Sequence, residues 1–225
     1  KQKKFESEAQ FKATLLLLQE RKPRITTVYS PGVHIADASA MPDIDTPMRV
    51  INTPQTEIPE VQLLSNGRYN VMITNAGGGY SRWKDISVTR WREDRTSDNW
   101  GTFVYLRDRD NGRYWSTTYQ PTLRKADHFE AIFGQARAEY RLRDHSIEAH
   151  TELSVSPEDD VEIRRVKLSN LTSRIRRIEV TTYAEVVLAQ LSADLAHRSF
   201  SNLFVQTEIL SERQAILCTR RRRPP

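Results

Sequence analysis

Apolar and polar residues change rhythm twice along this chain. Between residues 5 and 21, Phe5, Ala9, Phe11, Leu15 and Leu18 recur at near-helical spacing, and Pro23 ends the pattern. That spacing predicts one amphipathic helix within 1–22. Its apolar face must cover something, either the region that follows or the end of a preceding helical domain. Six of the ten prolines then fall between Pro23 and Pro59 with almost no periodicity, which predicts an extended linker over 23–60 laid along a surface.

From Val61 the period becomes two. Ala138, Tyr140 and Leu142 alternate with Arg137, Glu139, Arg141 and Arg143; Ile147, Ala149, Thr151, Leu153 and Val155 do the same with polar partners. Ile178, Val180, Thr182, Ala184, Val186 and Leu188 read as a third such stripe. Alternation of this kind marks antiparallel strands with one buried and one solvated face. Turn signals separate the runs: Asn66-Gly67, Asp110-Asn111-Gly112, Asp144-His145, Pro157-Glu158-Asp159 and Asn170-Leu171-Thr172. A phase shift across Arg164-Arg165 suggests a bulge. The expected fold class is all-β, with residues 61–225 forming one large antiparallel sandwich of roughly ten or more strands.

Composition narrows the function classes. At 225 residues the chain can bury one substantial core, and 38% hydrophobic with 28% charged residues is ordinary for a soluble domain. The longest apolar run, Leu15 to Leu18, is far too short for a bilayer, and the lysine-rich start carries no secretory signal. No direct membrane insertion is therefore expected. The net charge of +5 is spread among interleaved acids and bases, as in Arg107-Asp108-Arg109-Asp110. Only Arg220 to Arg223 form a block, read as a solvated terminal run, so nucleic acid is not an expected partner. Cys218 is the sole cysteine, which excludes an intramolecular disulfide and a cysteine-based zinc site. A buried, inert thiol in a reducing cytoplasmic setting is expected.

Candidate chemistry concentrates between Leu64 and Asp94. Gly77, Gly78 and Gly79 lead into Tyr80, Ser81, Arg82 and Trp83, and a β-rich run then delivers Arg90, Trp91 and Asp94. Consecutive glycines let a backbone turn sharply or approach another group closely. Aromatic faces cover the C–H face of a pyranose, while Arg and Asp bond its hydroxyls. One reading is thus a sugar-facing surface built from Gly78, Gly79, Tyr80, Arg82, Trp83, Arg90, Trp91 and Asp94. On it, Trp83, Arg90, Trp91 and Asp94 gather around the glycine turn with at least one Trp ring partly exposed. The competing reading is a glycine-rich hairpin whose aromatics fill a core, with Arg90 and its neighbours in a structural ion pair. No P-loop lysine follows the glycines, and the five histidines lack paired ligand spacing, so no cofactor or metal is expected. Nothing positions a Ser-His-Asp triad, and Glu158-Asp159-Asp160 sit at a turn where they are most simply solvated.

The Leu64–Asp94 stretch, together with Asp98 to Asp108, Tyr114 to Pro121, Val155 to Val166, Thr181 to Ala189 and Phe200 to Glu208, resembles one family. It is similar to the β-supersandwich domain of the glycosyltransferase-36-like proteins (glycoside hydrolase family 94), which include cellobiose and chitobiose phosphorylases. Among them it most resembles the large cyclic β-1,2-glucan synthases. Two positions depart from the family pattern, Lys22 and Arg198. The resemblance implies a galactose-mutarotase-like supersandwich and a preceding helical domain from which residues 1–22 derive. It also implies an (α/α)-barrel that follows and carries the general acid, so no catalytic residue is assigned in this chain. The loop containing Asp194, His197 and Arg198 would lie near bound sugar or phosphate, since in the phosphorylases it reaches a neighbouring subunit's active site. The implied partners are a β-glucan oligosaccharide, the adjoining barrel and a homodimer mate. The setting would be cytoplasmic, on the inner face of the membrane within a larger protein. Two functions remain open: a non-catalytic carbohydrate-binding or substrate-shaping domain, and a purely structural dimerisation or docking module.

Overall fold

The computed structural model describes residues 48–94, 97–196 and 198–221, the last span without the side chains of Arg198 and Ser199. The helix expected within 1–22 and the linker up to residue 47 lie outside the described residues. Among the described residues, fifteen strands follow one another from β1 (Arg49–Ile51) to β15 (Ala215–Arg220). All described pairings are antiparallel.

One layer is a five-stranded sheet. Its order is β1, β8 (His128–Phe133), β9 (Arg137–Asp144), β10 (Ile147–Val155) and β11 (Glu162–Asn170). The facing layer is two sheets side by side. One holds β13 (Val186–Gln190), β5 (Ile86–Thr89), β4 (Gly79–Trp83), β3 (Tyr69–Thr74) and β2 (Val61–Ser65). The other holds β12 (Ile178–Ala184), β6 (Thr102–Asp108) and β7 (Tyr114–Ser116). Two apolar clusters glue the layers. Leu64, Tyr69, Val71 and Ile73 meet Ala131, Phe133, Ala138, Tyr140 and Leu153, while Leu106 and Trp115 meet Leu142, Ile147 and Ala149. The alternation read from β9 and β10 is the pattern that builds both clusters, and the anticipated turns sit between strands. His145 and Ser146, at φ +50° and +60°, form the tight connection between β9 and β10.

Four local expectations are corrected. Residues 49–51, inside the expected linker, already pair with β8 as an edge strand. No bulge occurs at Arg164-Arg165, where β10 and β11 keep one register from Ile147↔Asn170 to Val155↔Glu162. The irregularity lies instead between Val186 and Ala189, where Leu188 adopts φ +53°. The chain leaves one sheet for its neighbour at Glu185, just before this irregularity; Val187 and Ala189 are buried rather than Val186 and Leu188, and Val180 is exposed. After β13 come two short helices, α1 (Leu191–Ala196) and α2 (Arg198–Asn202), and then the β14 (Val205–Leu210)–β15 hairpin. Cys218, expected to be buried, is only half-buried in this hairpin.

Candidate functional site

The glycine turn joins β3 to β4 and is closed by its own backbone. Thr74 N–H donates to Gly78 O at 2.8 Å, Gly77 N–H to Thr74 O at 2.9 Å, and Gly79 N–H to Trp100 O at 2.7 Å. The Thr74 hydroxyl accepts from Gly78 N–H and donates to the Asp98 carboxylate. A Cβ on Gly78 would fall 2.1 Å from Asp98 Oδ1, and one on Gly79 would fall 2.0 Å from Met72 O. The close approach that requires glycine is therefore to the protein's own Asp98 and Met72, and Gly77 to Gly79 are buried. Buried Asn75 extends this polar knot by holding Glu60 N–H and the carbonyls of Thr53 and Pro54. Asp98 is the residue that sequence reasoning passed over, although it opens one of the quoted motifs.

Burial pushes the Asp98 carboxyl above its ordinary range, partly offset by the Thr74 hydroxyl. Because the folded state raises this pKa, Asp98 favours folding most below the unfolded carboxylate range. That contribution is lost as pH rises through the folded value. Relative to the wild type, Asp98→Asn should therefore gain stability as pH rises from 3 to 7, with no loss at neutral pH. Thermal melts from pH 3 to 7 measure this; an Asp98→Asn profile parallel to the wild type would refute it.

Beyond the turn, strand alternation points Tyr80 and Arg82 away from the interlayer core. The Arg82 guanidinium lies 5.9 Å from the Tyr80 ring centroid, and Tyr80 meets Trp91 edge-on at 5.4 Å. All three are half-buried, and Arg82 Nε is shielded with no hydrogen-bond partner among the described residues. Asp94 lies exposed just beyond Trp91. This aromatic–guanidinium face is what the structure assembles from the anticipated set.

The other candidates lie elsewhere. Trp83 closes the far end of β4, roughly 13 Å along the strand from Gly79. It is 38% exposed, donates Nε1–H to Asp160 Oδ2 at 2.6 Å and carries Lys84 Nζ 4.5 Å from its ring. Asp160 is thus not simply solvated: Trp83, Asn66 and Arg68 bond it and hold its carboxyl below the usual range. Arg90 is buried, donating to both carboxylate oxygens of Asp194 at 3.0 and 2.8 Å, to Glu185 at 2.7 Å and to Asn202 at 2.6 Å. Asp194 belongs to α1 and Asn202 ends α2, so Arg90 grips both helices that bracket position 197. His197 lies outside the described residues; Arg198 begins α2.

Among the described residues, Glu139, His150 and Glu152 come close enough to share an ion. Arg137 lies 2.7 Å from Glu139, His150 2.9 Å from it, and Arg165 pairs with Glu152, so the cluster's negative charge is already compensated. No helix among the described residues is long and apolar enough to cross a membrane.

The comparisons agree on one relationship. A family model described as glycosyl hydrolase 94, supersandwich domain, matches residues 45–225. A cyclic β-(1,2)-glucan synthase, NdvB, of Rhizobium meliloti is 39% identical over 98% of the chain. An N,N'-diacetylchitobiose phosphorylase of Vibrio proteolyticus is 28% identical over 71% of it, and a solabiose phosphorylase of Paenibacillus borealis is 27% identical over 75%. The chain spans only 8% of the synthase's length and 20% and 22% of the two phosphorylases' lengths.

Proposed function

The chain belongs to the glycosyl hydrolase 94 supersandwich domain family, and on that premise we propose that it is a non-catalytic domain that binds or shapes a β-glucan substrate within a larger carbohydrate-active enzyme. The observation that carries this reading is the Tyr80–Arg82–Trp91 face. Two rings and a guanidinium with an unpaired N–H are brought together by β4, which carries Tyr80 and Arg82, and the segment after β5, which carries Trp91. Rings supply a platform for sugar C–H groups, and a shielded donor without a protein acceptor gains most from a hydroxyl placed on it. Glycoside chemistry needs a proton donor and an opposing nucleophile or base in one cleft. Those groups would be supplied by an adjoining barrel in a cytoplasmic, membrane-associated parent.

Calorimetric titration with linear and cyclic β-1,2-glucooligosaccharides is the test. Weak, saturable binding is expected, reduced about tenfold by Tyr80→Ala or Trp91→Ala with the melting temperature little changed. No binding to either ligand, or binding indifferent to both substitutions, would sink the proposal. A second reading, a docking or dimerisation module, is favoured by the apolar side chains exposed on the β14–β15 hairpin. It expects polypeptide association and no glycan binding.

A further inference from the structure

Exposed apolar side chains gather past β13, where Phe200, Leu203, Ile209 and Ile216 are all more than half exposed. Ala193 and Ala196 of α1, Phe200 and Ser201 of α2, Phe204, Arg220 and Arg221 line a pocket of about 290 Å³. Phe200 is 51% exposed and meets Phe204 edge-on at 5.3 Å. Arg220 anchors the rim: it donates to Val187 O at 2.9 Å and to Ser201 O at 3.2 Å, and stacks over Phe204 at 5.4 Å. The pocket opens onto one face of the hairpin. By register and alternation that face carries Val205, Thr207 and Ile209 opposite Arg220, Cys218 and Ile216. Ile209 and Ile216 pair across its end at 75% and 67% exposure.

A two-stranded hairpin gains independent stability only by packing its apolar face on something else. Here an aromatic pocket continues into an aliphatic strip, and nothing among the described residues covers either. The lining contains two arginines and no carboxylate, and the sequence adds Arg222 and Arg223 directly beyond. Small Ala193 and Ala196 let a partner backbone come close, and the pocket volume suits one large apolar side chain.

We infer that this pocket and hairpin face form the docking surface for an acidic amphipathic segment of the same polypeptide lying outside these 225 residues. The segment presents an aromatic or branched aliphatic anchor to Phe200 and Phe204, and its flanking carboxylates meet Arg220 and Arg221. Charge complementarity selects the acidic flanks. The relatives supply the length: the chain accounts for 8% of the glucan synthase and about a fifth of the phosphorylases. The inference rests on reading the chain as one module of a longer enzyme.

The test is an array of overlapping synthetic peptides covering the Rhizobium meliloti relative outside its matched region, probed with the whole 225-residue chain. The strongest peptide is then titrated in solution. Binding by peptides with an apolar anchor between acids is expected, weakened at least about tenfold by Phe200→Asp and by Arg221→Glu. Leu63→Glu, at an exposed site on β2, should leave it unchanged. Phe200→Asp must keep the wild-type circular dichroism and melting temperature, which its exposure permits. No peptide binding, or binding indifferent to Phe200→Asp, overturns the proposal. Dimerisation of the free chain abolished by Phe200→Asp also overturns it, in favour of a second copy as the occupant. Glycan titration of the same variants reads the sugar face separately, so failure of one proposal is distinguishable from failure of the other.

Discussion

Arg90→Ala should lower the stability of the domain by about 3–5 kcal/mol, the cost of breaking a buried ion pair by removing one partner. The Arg90 and Asp194 side chains are only 2% and 4% exposed, and the guanidinium engages both carboxylate oxygens at once. Asp194 would lose that fork in a site water scarcely reaches, while Glu185 and Asn202 would lose their shared donor. For a domain of this size the melting temperature should fall by about 10 °C or more. Arg90→Lys should recover little, because a point ammonium cannot reproduce the bidentate geometry. The decisive measurement is a double-mutant cycle. Asp194→Ala in the Arg90→Ala background should cost far less than Asp194→Ala alone. Additive losses would show that the pair is not coupled. The same variants should bind glucooligosaccharide with unchanged affinity once folded, since Arg90 is turned away from the Tyr80–Trp91 face and into the ion cluster.

How much of this was legible in the sequence depended on whether the relevant partner was local. Strands with one solvated face declared themselves, because in β9 and β10 solvent enforces a polar residue at every second position. The same rule misread residues 178–190. The alternation of Ile178, Val180 and Thr182 runs on unbroken in the sequence, but the chain changes sheet at Glu185 and twists at Leu188, so the buried set becomes Val187 and Ala189. Nothing within that stretch records which neighbour each half will have. β12 illustrates the limit: it is exposed on both faces although its composition is that of a half-buried strand.

The candidate site divides along the same line. A run of glycines announces that some group approaches closely, but not whether that group is ligand or protein. Here it is Asp98 and Met72 O, the first supplied from beyond β5. Arg90 reads equally well as a sugar contact or an ion-pair member, because the partners that decide it lie more than a hundred residues away. Tyr80, Arg82 and Trp91 came through because β4 itself sets Tyr80 and Arg82 on one face and the chain returns Trp91 to that face directly after β5. Trp83 did not, since its parity on β4 places it with Tyr69 and the interlayer side, at the other end of the strand.

Gly78 and Gly79 should respond differently to the same substitution, and the difference tests how the turn is built. At Gly79, φ is +154° and a Cβ would sit 2.0 Å from a backbone carbonyl, so Gly79→Ala meets both torsional strain and an obstacle that cannot rotate away. It should abolish cooperative folding. At Gly78 the obstacles are the Asp98 carboxylate at 2.1 and 2.5 Å and the Asp98 carbonyl at 2.6 Å. Gly78→Ala should therefore cost stability at the upper end of the about 1–3 kcal/mol typical of overpacking. Asp98→Ala in that background should return part of the loss by removing the carboxylate, while the carbonyl contact keeps recovery incomplete. Gly67→Ala provides the scale, since its φ is +89° and nothing lies within 4 Å of the added carbon. Conformational strain alone should then cost about 1–2 kcal/mol. Urea titrations of the four variants decide the matter. Gly78→Ala no worse than Gly67→Ala, or no recovery on adding Asp98→Ala, would mean that Asp98 is not what the glycine run accommodates.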